Sequence, residues 1–329
     1  MYSMNLIYAG IAALVLSFSA AFGFAAEQPA KTEVIVFHAG SLGGVLQKIA
    51  TAYEAGHPEI KIILEGSGSR EAARKVTELH RPCDIVASAD YETIDSLMIP
   101  EYATYNILFA RNKSVIGFTG KSKYAAEINA GNWYEILSRP DVRYGHTDPN
   151  LDPGGYRAVL TLQLAEKYYR QPGLYQRLTD NFSPDNMLND GNTIAKHFAD
   201  GQLDYFFLYE SSAKQAGYRY ITLPEQIDFS SLQYSGYYRQ ASLNLTGKTP
   251  GSMVTVKGQP IIYGLTMVRN APHAQAALTF LDFLLTDGQV FLRDAGFIPM
   301  SQPLVRPAEM PLLPQELHAI VKPLTEDKL

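Results

Sequence analysis

Two short loops rich in glycine and serine have the composition of an anion-binding site. Residues 38–42 read HAGSL and residues 66–69 read GSGS. Each loop follows a predicted strand and opens a predicted helix, where unpaired backbone N–H groups and the positive end of the helix dipole converge. Such a place binds an oxyanion without a charged side chain, and Ser41 and Ser69 would add hydroxyl donors. Serine and glycine are also ordinary helix-capping residues, so each loop alone has a purely structural explanation.

Two carboxylates form a second candidate group. Asp152 opens the helix predicted after a turn-rich segment, and Glu210 follows the apolar strand predicted at 205–208. Asp152 precedes a proline, which makes it a favourable helix cap, and Glu210 is a favourable charge for the first turn of a helix. The residue types alone therefore do not distinguish a helix-capping role from a ligand-binding role for either carboxylate.

The elements that position these residues alternate between short β-branched runs and helical patterns, which predicts an α/β fold. The order strand, small-residue loop, helix occurs twice between residues 33 and 79. Residues 225–250 are polar and rich in tyrosine, and we predict a long irregular loop there. The predicted strands are 33–37, 61–64, 84–87, 205–208 and 261–268, and the predicted helices are 45–53, 70–79, 133–137, 153–169 and 272–285.

Composition limits the class of protein. The chain has 329 residues, of which 46% are hydrophobic and 19% charged, as expected for a globular protein of about two domains. Its 28 basic and 33 acidic residues give a net charge of −5, and no basic cluster supports nucleic-acid binding. The single cysteine, Cys83, excludes an internal disulfide and a paired-cysteine metal site.

The N-terminal segment has the composition of an export signal. Residues 6–25 are apolar and uncharged, and Gly23 and Ala25 fit the small-x-small pattern for cleavage before Ala26. We predict a signal peptide over residues 1–25 and a periplasmic or other extracytoplasmic location. If it is not cleaved, an apolar run of about 20 residues is long enough to anchor the protein in a membrane.

The order of several motifs resembles the tungstate/molybdate-binding proteins of ABC importers, specifically their archaeal-type branch. The resemblance covers nearly all of the chain after the N-terminal segment, and DPNLDPGGYR is its most specific part. The motifs are HAGSL (38–42), GSGSREAARKV (66–76), CDIVASAD (83–90), NILFARN (106–112), DPNLDPGGYR (148–157), YFFLYESSA (205–213), IIYGLTMV (261–268) and GFIPM (296–300).

The resemblance implies a two-lobed periplasmic-binding-protein fold of type II, in which each lobe is a mixed sheet flanked by helices. Lobe one would contain residues 31–110 and 262–329, and lobe two would contain residues 111–261. The ligand would bind in the cleft and close the lobes about a hinge.

The resemblance also implies that Ser41, Ser69, Asp152 and Glu210 bind the ligand. We add Gly154 for its backbone donor and Tyr156 as a residue that lines the cleft. Many members have cysteine where this chain has Gly154, and glycine keeps the backbone donor. Two carboxylates would repel a dianion, but Asp152 and Glu210 fit as ligands of the metal centre itself. Mo(VI) and W(VI) are hard cations that can expand from four oxygens to six, whereas sulfate and phosphate cannot. Arg157 would either balance the charge of the site or form a surface ion pair.

The function implied by the resemblance is transport, without an enzymatic step or a cofactor. The protein would capture tungstate or molybdate as a monomer and deliver it to an ABC permease. One alternative is a binding protein of the same fold for phosphate or a small organic anion, with both carboxylates acting as caps. An enzyme would need Ser41 as nucleophile with His38 or His146 as base. Ser41 lies in no GxSxG or Ser-x-x-Lys motif, and neither glycine-rich loop continues into a P-loop.

Overall fold

The computed structural model describes residues 30–249 and 251–325, so the predicted signal peptide lies outside the described residues. No helix in these two ranges is long and apolar enough to span a membrane. The strands are β1 (Thr32–Ala39), β2 (Ile60–Ser67), β3 (Ile85–Ser88), β4 (Ile107–Arg111), β5 (Ser114–Phe118), β6 (Tyr144–Gly145), β7 (Tyr205–Tyr209), β8 (Arg219–Thr222), β9 (Ser242–Thr246), β10 (Met253–Lys257), β11 (Ile262–Met267), β12 (Ile298–Val305) and β13 (Lys322–Pro323). The helices are α1 (Gly43–Gly56), α2 (Ser69–Thr77), α3 (Tyr91–Leu97), α4 (Trp133–Leu137), α5 (Pro153–Tyr168), α6 (Leu174–Asn181), α7 (Gly191–Ala199), α8 (Glu210–Ala216), α9 (Glu225–Asp228), α10 (Ser235–Tyr238), α11 (Ala274–Leu285) and α12 (Gln289–Asp294).

A seven-stranded mixed sheet has the order β13-β12-β4-β11-β3-β1-β2. Helices cover both of its faces. Successive side chains of one strand point to opposite faces and therefore enter different cores. Val36 of β1 shares a core with residues of α1 and α11, whereas its neighbour Phe37 packs with residues of α2 and α3. Cys83 is buried in this second core, where its Sγ donates to Ile85 O at 3.1 Å. Burial on both faces explains why these strands are continuous apolar runs in the sequence.

The pairing of β1 with β2 brings the two small-residue loops together. The strands are parallel, with His38 opposite Gly66 and Ala39 opposite Ser67. Both strands therefore end at the same edge of the sheet. The chain continues from β1 through the 3₁₀ turn Gly40–Leu42 into α1, and from β2 through Gly68 into α2.

A second, four-stranded sheet has the order β6-β7-β5-β8. Strand β5 is antiparallel to both β7 and β8, and β6 is parallel to β7. The core beside this sheet is aromatic: Trp133 meets Phe207 edge-to-face with ring centroids 5.9 Å apart. The chain leaves the large sheet at the end of β4 and enters the second sheet at β5, with only Asn112 and Lys113 between them.

The prediction of one long irregular loop over residues 225–250 was wrong. Helices α9 and α10 lie in this segment, and β9 pairs with β10 in an antiparallel hairpin that joins neither sheet. Leu245 and Val256 are its buried residues, so the hairpin has the alternation of a half-buried strand pair. It is held against α5 by Gln163, whose amide bonds both the N–H and the C=O of Ser242 at 3.0 Å. The polar composition of the segment concealed this alternation.

Candidate functional site

Ser41 lies beside a chain of hydrogen-bonded polar groups at the edge of the large sheet. Its Oγ is 2.9 Å from the hydroxyl oxygen of Tyr263, which lies on β11. Asn112 Nδ2 donates to the same Tyr263 oxygen at 3.2 Å and to Ser211 Oγ at 2.8 Å. These contacts connect the first small-residue loop to the crossing between the sheets and to α8.

Asp152 caps α5, as its sequence context indicates. Its Oδ2 accepts a hydrogen bond from Gly154 N at 3.1 Å and another from Thr147 Oγ1 at 2.7 Å. Burial raises the pKa of the Asp152 carboxyl above its usual value, and the hydrogen bonds from Thr147, Gly154 and the backbone of Ser69 only partly oppose that shift. Asp152 is thus a cap that also lies against the second small-residue loop.

Ser69 is fully buried at the start of α2. Its Oγ accepts a hydrogen bond from Ala89 N at 2.9 Å, which fixes the hydroxyl against the loop after β3. The next two amides of α2, those of Arg70 and Glu71, donate to Leu151 O at 3.0 and 3.2 Å. The N-terminus of α2 is therefore joined directly to the turn that precedes α5.

Gly68 allows this close approach. A Cβ added at Gly68 would lie 2.2 Å from Leu151 O and 3.0 Å from Asp152 Cβ. Both separations are shorter than ordinary van der Waals contact, so an alanine here would push the two loops apart.

Arg157 lies in the second turn of α5 and is only 1% exposed. Its Nη1 donates to Ala89 O at 2.9 Å and to the hydroxyl of Tyr209 at 2.7 Å, and its Nη2 is 3.5 Å from Asp90 Oδ1. The Tyr209 ring packs against that of Tyr263 with centroids 6.1 Å apart. Arg157 is a buried cation between the two sheets, so the alternative of a surface ion pair was wrong.

Tyr156 uses its hydroxyl to donate to Asp90 Oδ2. Asp90 caps α3, and its Oδ1 accepts a second side-chain hydrogen bond from Gln259 Nε2 at 3.2 Å. Burial and the neighbouring carboxylate hold the pKa of Tyr156 well above its usual value, so the phenol stays protonated and donates. The structure places Tyr156 at this contact between α5 and the loop after β3, and its role as a ligand-binding residue stays a prediction.

Glu210 opens α8 and is surrounded by donors. Its Oε1 accepts from the Tyr220 hydroxyl at 3.0 Å and pairs with Lys214 Nζ at 3.2 Å, and its Oε2 pairs with Lys113 Nζ at 3.2 Å. Burial acts to raise the pKa of Glu210, but the bonds from Tyr220 and the two lysines outweigh it and lower the pKa. Within the described residues these contacts do not connect Glu210 to Ser41, and its role as a metal ligand stays a prediction.

We call the polar residues that meet between the two sheets the intersheet cluster. It contains Ser41, Ser69, Asp90, Asp152, Arg157, Tyr209 and Tyr263. Three of these, Asp90, Tyr209 and Tyr263, were not candidates from the sequence, because a tyrosine in an apolar strand and an aspartate after one have no local mark of function. In the two described ranges, no group of three or more His, Cys, Asp or Glu side chains is placed to hold a metal ion.

The sequence of this chain matches a described protein family. Residues 34–298 match the profile of the bacterial extracellular solute-binding proteins. The match extends over most of the chain, including all of the intersheet cluster. The chain belongs to this family.

Relatives of this chain include two proteins whose names state a ligand. The Molybdate/tungstate-binding protein WtpA of Thermococcus kodakarensis is 40% identical over 283 residues, which cover 78% of each chain. The protein of the same name from Pyrococcus abyssi is 36% identical over 349 residues, which cover 97% of this chain and 98% of the relative. An uncharacterized solute-binding protein of Petrotoga mobilis is 46% identical over 294 residues, covering 88% and 90%.

Solved structures show the same fold at low sequence identity. The Azotobacter vinelandii periplasmic molybdate-binding protein aligns with a TM-score of 0.59 at 16% identity, covering 80% of this chain and 98% of that protein. The sulfate-binding protein SubI of Mycobacterium tuberculosis aligns with a TM-score of 0.56 at 16% identity, covering 89% and 92%. The predicted periplasmic-binding-protein fold, with mixed sheets flanked by helices, is confirmed.

Proposed function

We propose that this protein captures molybdate or tungstate outside the cytoplasm and delivers it, as a monomer, to an ABC permease. The signal peptide predicted over residues 1–25 would direct its export. The observation that carries the proposal is the position of Asp152, a carboxylate that hydrogen-bonds within its own loop and lies against the N-terminus of α2. The names of relatives at 40% and 36% identity support the choice of ligand.

The proposal includes two lobes that close on the ligand. Lobe one is formed by residues 31–110 and 262–329 and lobe two by residues 111–261. The sheets support this division, since the strands at both ends of the described chain form the seven-stranded sheet and the middle of the chain forms the other. Contacts from α2 to Leu151 join the two lobes, so we assign the described conformation to the closed form.

Oxyanion recognition would use neutral donors for the oxo groups and a carboxylate for the metal. The hydroxyls of Ser41 and Ser69 would donate to oxo groups. The backbone amides of Ser69 and Gly154 donate to Asp152 in the described conformation, and they would transfer these hydrogen bonds to oxo groups when Asp152 binds the metal. Asp152 would bind Mo or W directly, as a hard oxygen ligand. Because the central atoms of sulfate and phosphate do not add ligands, coordination would provide a selectivity that size and charge do not.

The second predicted metal ligand requires a rearrangement. Glu210 has to release Lys113 and Lys214 to complete an octahedron with Asp152. X-ray absorption on the loaded protein tests this step, since six-coordination removes the pre-edge intensity of a tetrahedral oxyanion. A metal that remains tetrahedral, with unchanged oxo distances, would exclude coordination by both carboxylates.

Calorimetric titration with molybdate, tungstate, sulfate and phosphate tests the function itself. We expect binding of the first two and a strong loss of affinity in Asp152→Ala. Asp190→Ala is a matched control, because Asp190 caps α7 through Thr193 N at 2.7 Å. Losing either cap destabilises a helix by about 1 kcal/mol, but only the change at Asp152 should alter ligand affinity. Binding of sulfate or phosphate alone, with Asp152→Ala unaffected, would favour the alternative in which Asp152 is only a cap.

A further inference from the structure

We propose that Arg157 binds the oxyanion directly and supplies the positive charge of the closed site. This inference rests on the proposed function and adds a ligand-binding residue to it. Arg157 is 1% exposed, and its Nε and Nη2 have no hydrogen-bond acceptor among the described residues. Buried guanidinium N–H groups are costly to leave unpaired, which indicates that a missing acceptor completes them.

The two unpaired groups have the geometry of an oxyanion receptor. Nε and Nη2 share one edge of the planar guanidinium, and such an edge donates two parallel hydrogen bonds to two oxygens of one anion. The other side of the group is already fixed, because Nη1 donates to Ala89 O and to the Tyr209 hydroxyl. The side chain is therefore held in place with its fork free.

The surroundings of Arg157 place this fork at the proposed site. Its Nη1 donates to the hydroxyl of Tyr209, whose ring packs against that of Tyr263, and the Tyr263 hydroxyl lies 2.9 Å from Ser41 Oγ. The positive charge of Arg157 also favours the ionised form of the Asp152 carboxyl by lowering its pKa. The other buried arginine nearby, Arg70, already donates to the carbonyl oxygens of Asn150 and Thr246. Of these two buried arginines, Arg157 is the one whose Nε and Nη2 have no acceptor among the described residues and could bind a dianion beside Asp152.

Asp90 is the acceptor that competes for the same fork. Its Oδ1 is 3.5 Å from Arg157 Nη2, which is within ion-pair range but too long for a hydrogen bond. Asp90 also accepts from Tyr156 and Gln259, so its charge is satisfied without Arg157. Arg157 binds the ligand directly if Nε and Nη2 donate to the anion. Its role is only structural if these groups serve to hold Asp90 in place.

Substitutions at both positions separate these roles. Arg157→Lys keeps the charge but loses the fork, and Arg157→Gln loses both. For molybdate titrated by calorimetry we expect affinity to fall on the order of 10-fold and 100-fold respectively. Asp90→Asn keeps a capping side chain and removes both a negative charge and the acceptor that competes for the fork, so it should bind molybdate more tightly than the unsubstituted protein. Arg143→Gln, at an exposed arginine, is the matched control and should leave affinity unchanged.

The outcomes distinguish this inference from the proposed function. If the unsubstituted protein binds neither molybdate nor tungstate, the proposed function fails. If it binds them and Arg157→Gln binds within 2-fold of it, only the role of Arg157 is overturned. An equal loss in Asp90→Asn and Arg157→Gln would also overturn it, because Arg157 would then act through Asp90. Circular dichroism checks folding, and if Arg157→Gln does not fold, the loss of affinity in a folded Arg157→Lys decides.

Discussion

The backbone amide of Arg70 donates to the carbonyl oxygen of Leu151 at 3.0 Å, which joins the first turn of α2 to the turn before α5. Each of these segments carries a residue of the proposed site, Ser69 in one and Asp152 in the other. Under the proposed function, closing the lobes would therefore also assemble the site, and substitutions at this contact should change ligand affinity without touching the ligand.

Gly68→Ala should weaken molybdate binding by at least about 10-fold, because the new Cβ would collide with Leu151 O and keep the lobes apart. Gly56→Ala is the control, since a Cβ at Gly56 has no neighbour within 4 Å. Calorimetric titration measures the affinity, and small-angle scattering measures compaction on loading. Normal compaction of Gly68→Ala with molybdate would contradict the prediction.

Arg74→Ala should destabilise the closed form. Arg74 donates to Asn150 O at 3.2 Å and to Thr246 Oγ1 at 2.6 Å, so it joins α2 to both the turn before α5 and the β9–β10 hairpin. We expect faster ligand release and a several-fold lower affinity, measured by stopped-flow and calorimetry, because most changes in affinity appear in the dissociation rate. Arg81→Ala, which removes an exposed pair with Glu65, should leave the release rate unchanged.

Ligand affinity should fall as the pH is lowered, because Asp152 becomes protonated. The fall should begin at a higher pH than it would for an aspartate with an ordinary pKa. Asp152 must be ionised to bind a metal, and burial raises its pKa in the folded protein. Calorimetric titrations from pH 4 to 8 measure the effect, and an affinity independent of pH down to about 4 would contradict it.

The raised pKa of Asp152 also affects the stability of the ligand-free protein, where ionisation of the carboxyl is unfavourable rather than useful. A carboxyl with a raised folded pKa binds more protons folded than unfolded, so its contribution to stability falls as pH rises through that pKa. Asp152→Asn retains a good helix cap and should therefore be at least as stable as the unsubstituted protein at pH 7. Thermal unfolding without ligand measures this, and a clearly lower melting temperature for Asp152→Asn would show that the charge stabilises the fold.

Lys113→Gln should strengthen tungstate binding if Glu210 is a metal ligand, since it frees one carboxylate oxygen from its ion pair. The ion pairs of Glu210 lower its pKa in the folded protein. They therefore stabilise the fold above the pKa that Glu210 has in the unfolded chain, and this stabilisation is lost as the pH falls through the folded pKa. Lys196→Gln breaks the exposed pair with Asp200 and is the control. Unchanged tungstate affinity in both Lys113→Gln and Glu210→Gln would assign Glu210 a structural role.

Local sequence pattern predicted the elements that carry the serine loops, because buried strands and helix starts have short-range signals. The parallel pairing of β1 and β2 then brings the loops that carry Ser41 and Ser69 to the same edge of the sheet. The position of Arg157 is different, since its burial depends on Ala89 and Tyr209, which are distant in sequence. The surroundings of Glu210 likewise depend on Lys113 and Tyr220, which only the pairing of β5 with β7 and β8 brings near it.

The buried position of Cys83 makes the protein convenient for distance measurements. Burial raises the pKa of its thiol to about 12, so the thiolate that reacts with maleimide or methanethiosulfonate probes is scarce at pH 8. Cysteines introduced at exposed positions, such as Lys48 on α1 and Lys196 on α7, would then be labelled without first replacing the native one. A pair of spin labels or fluorophores at these positions would report the separation of the two proposed lobes in solution.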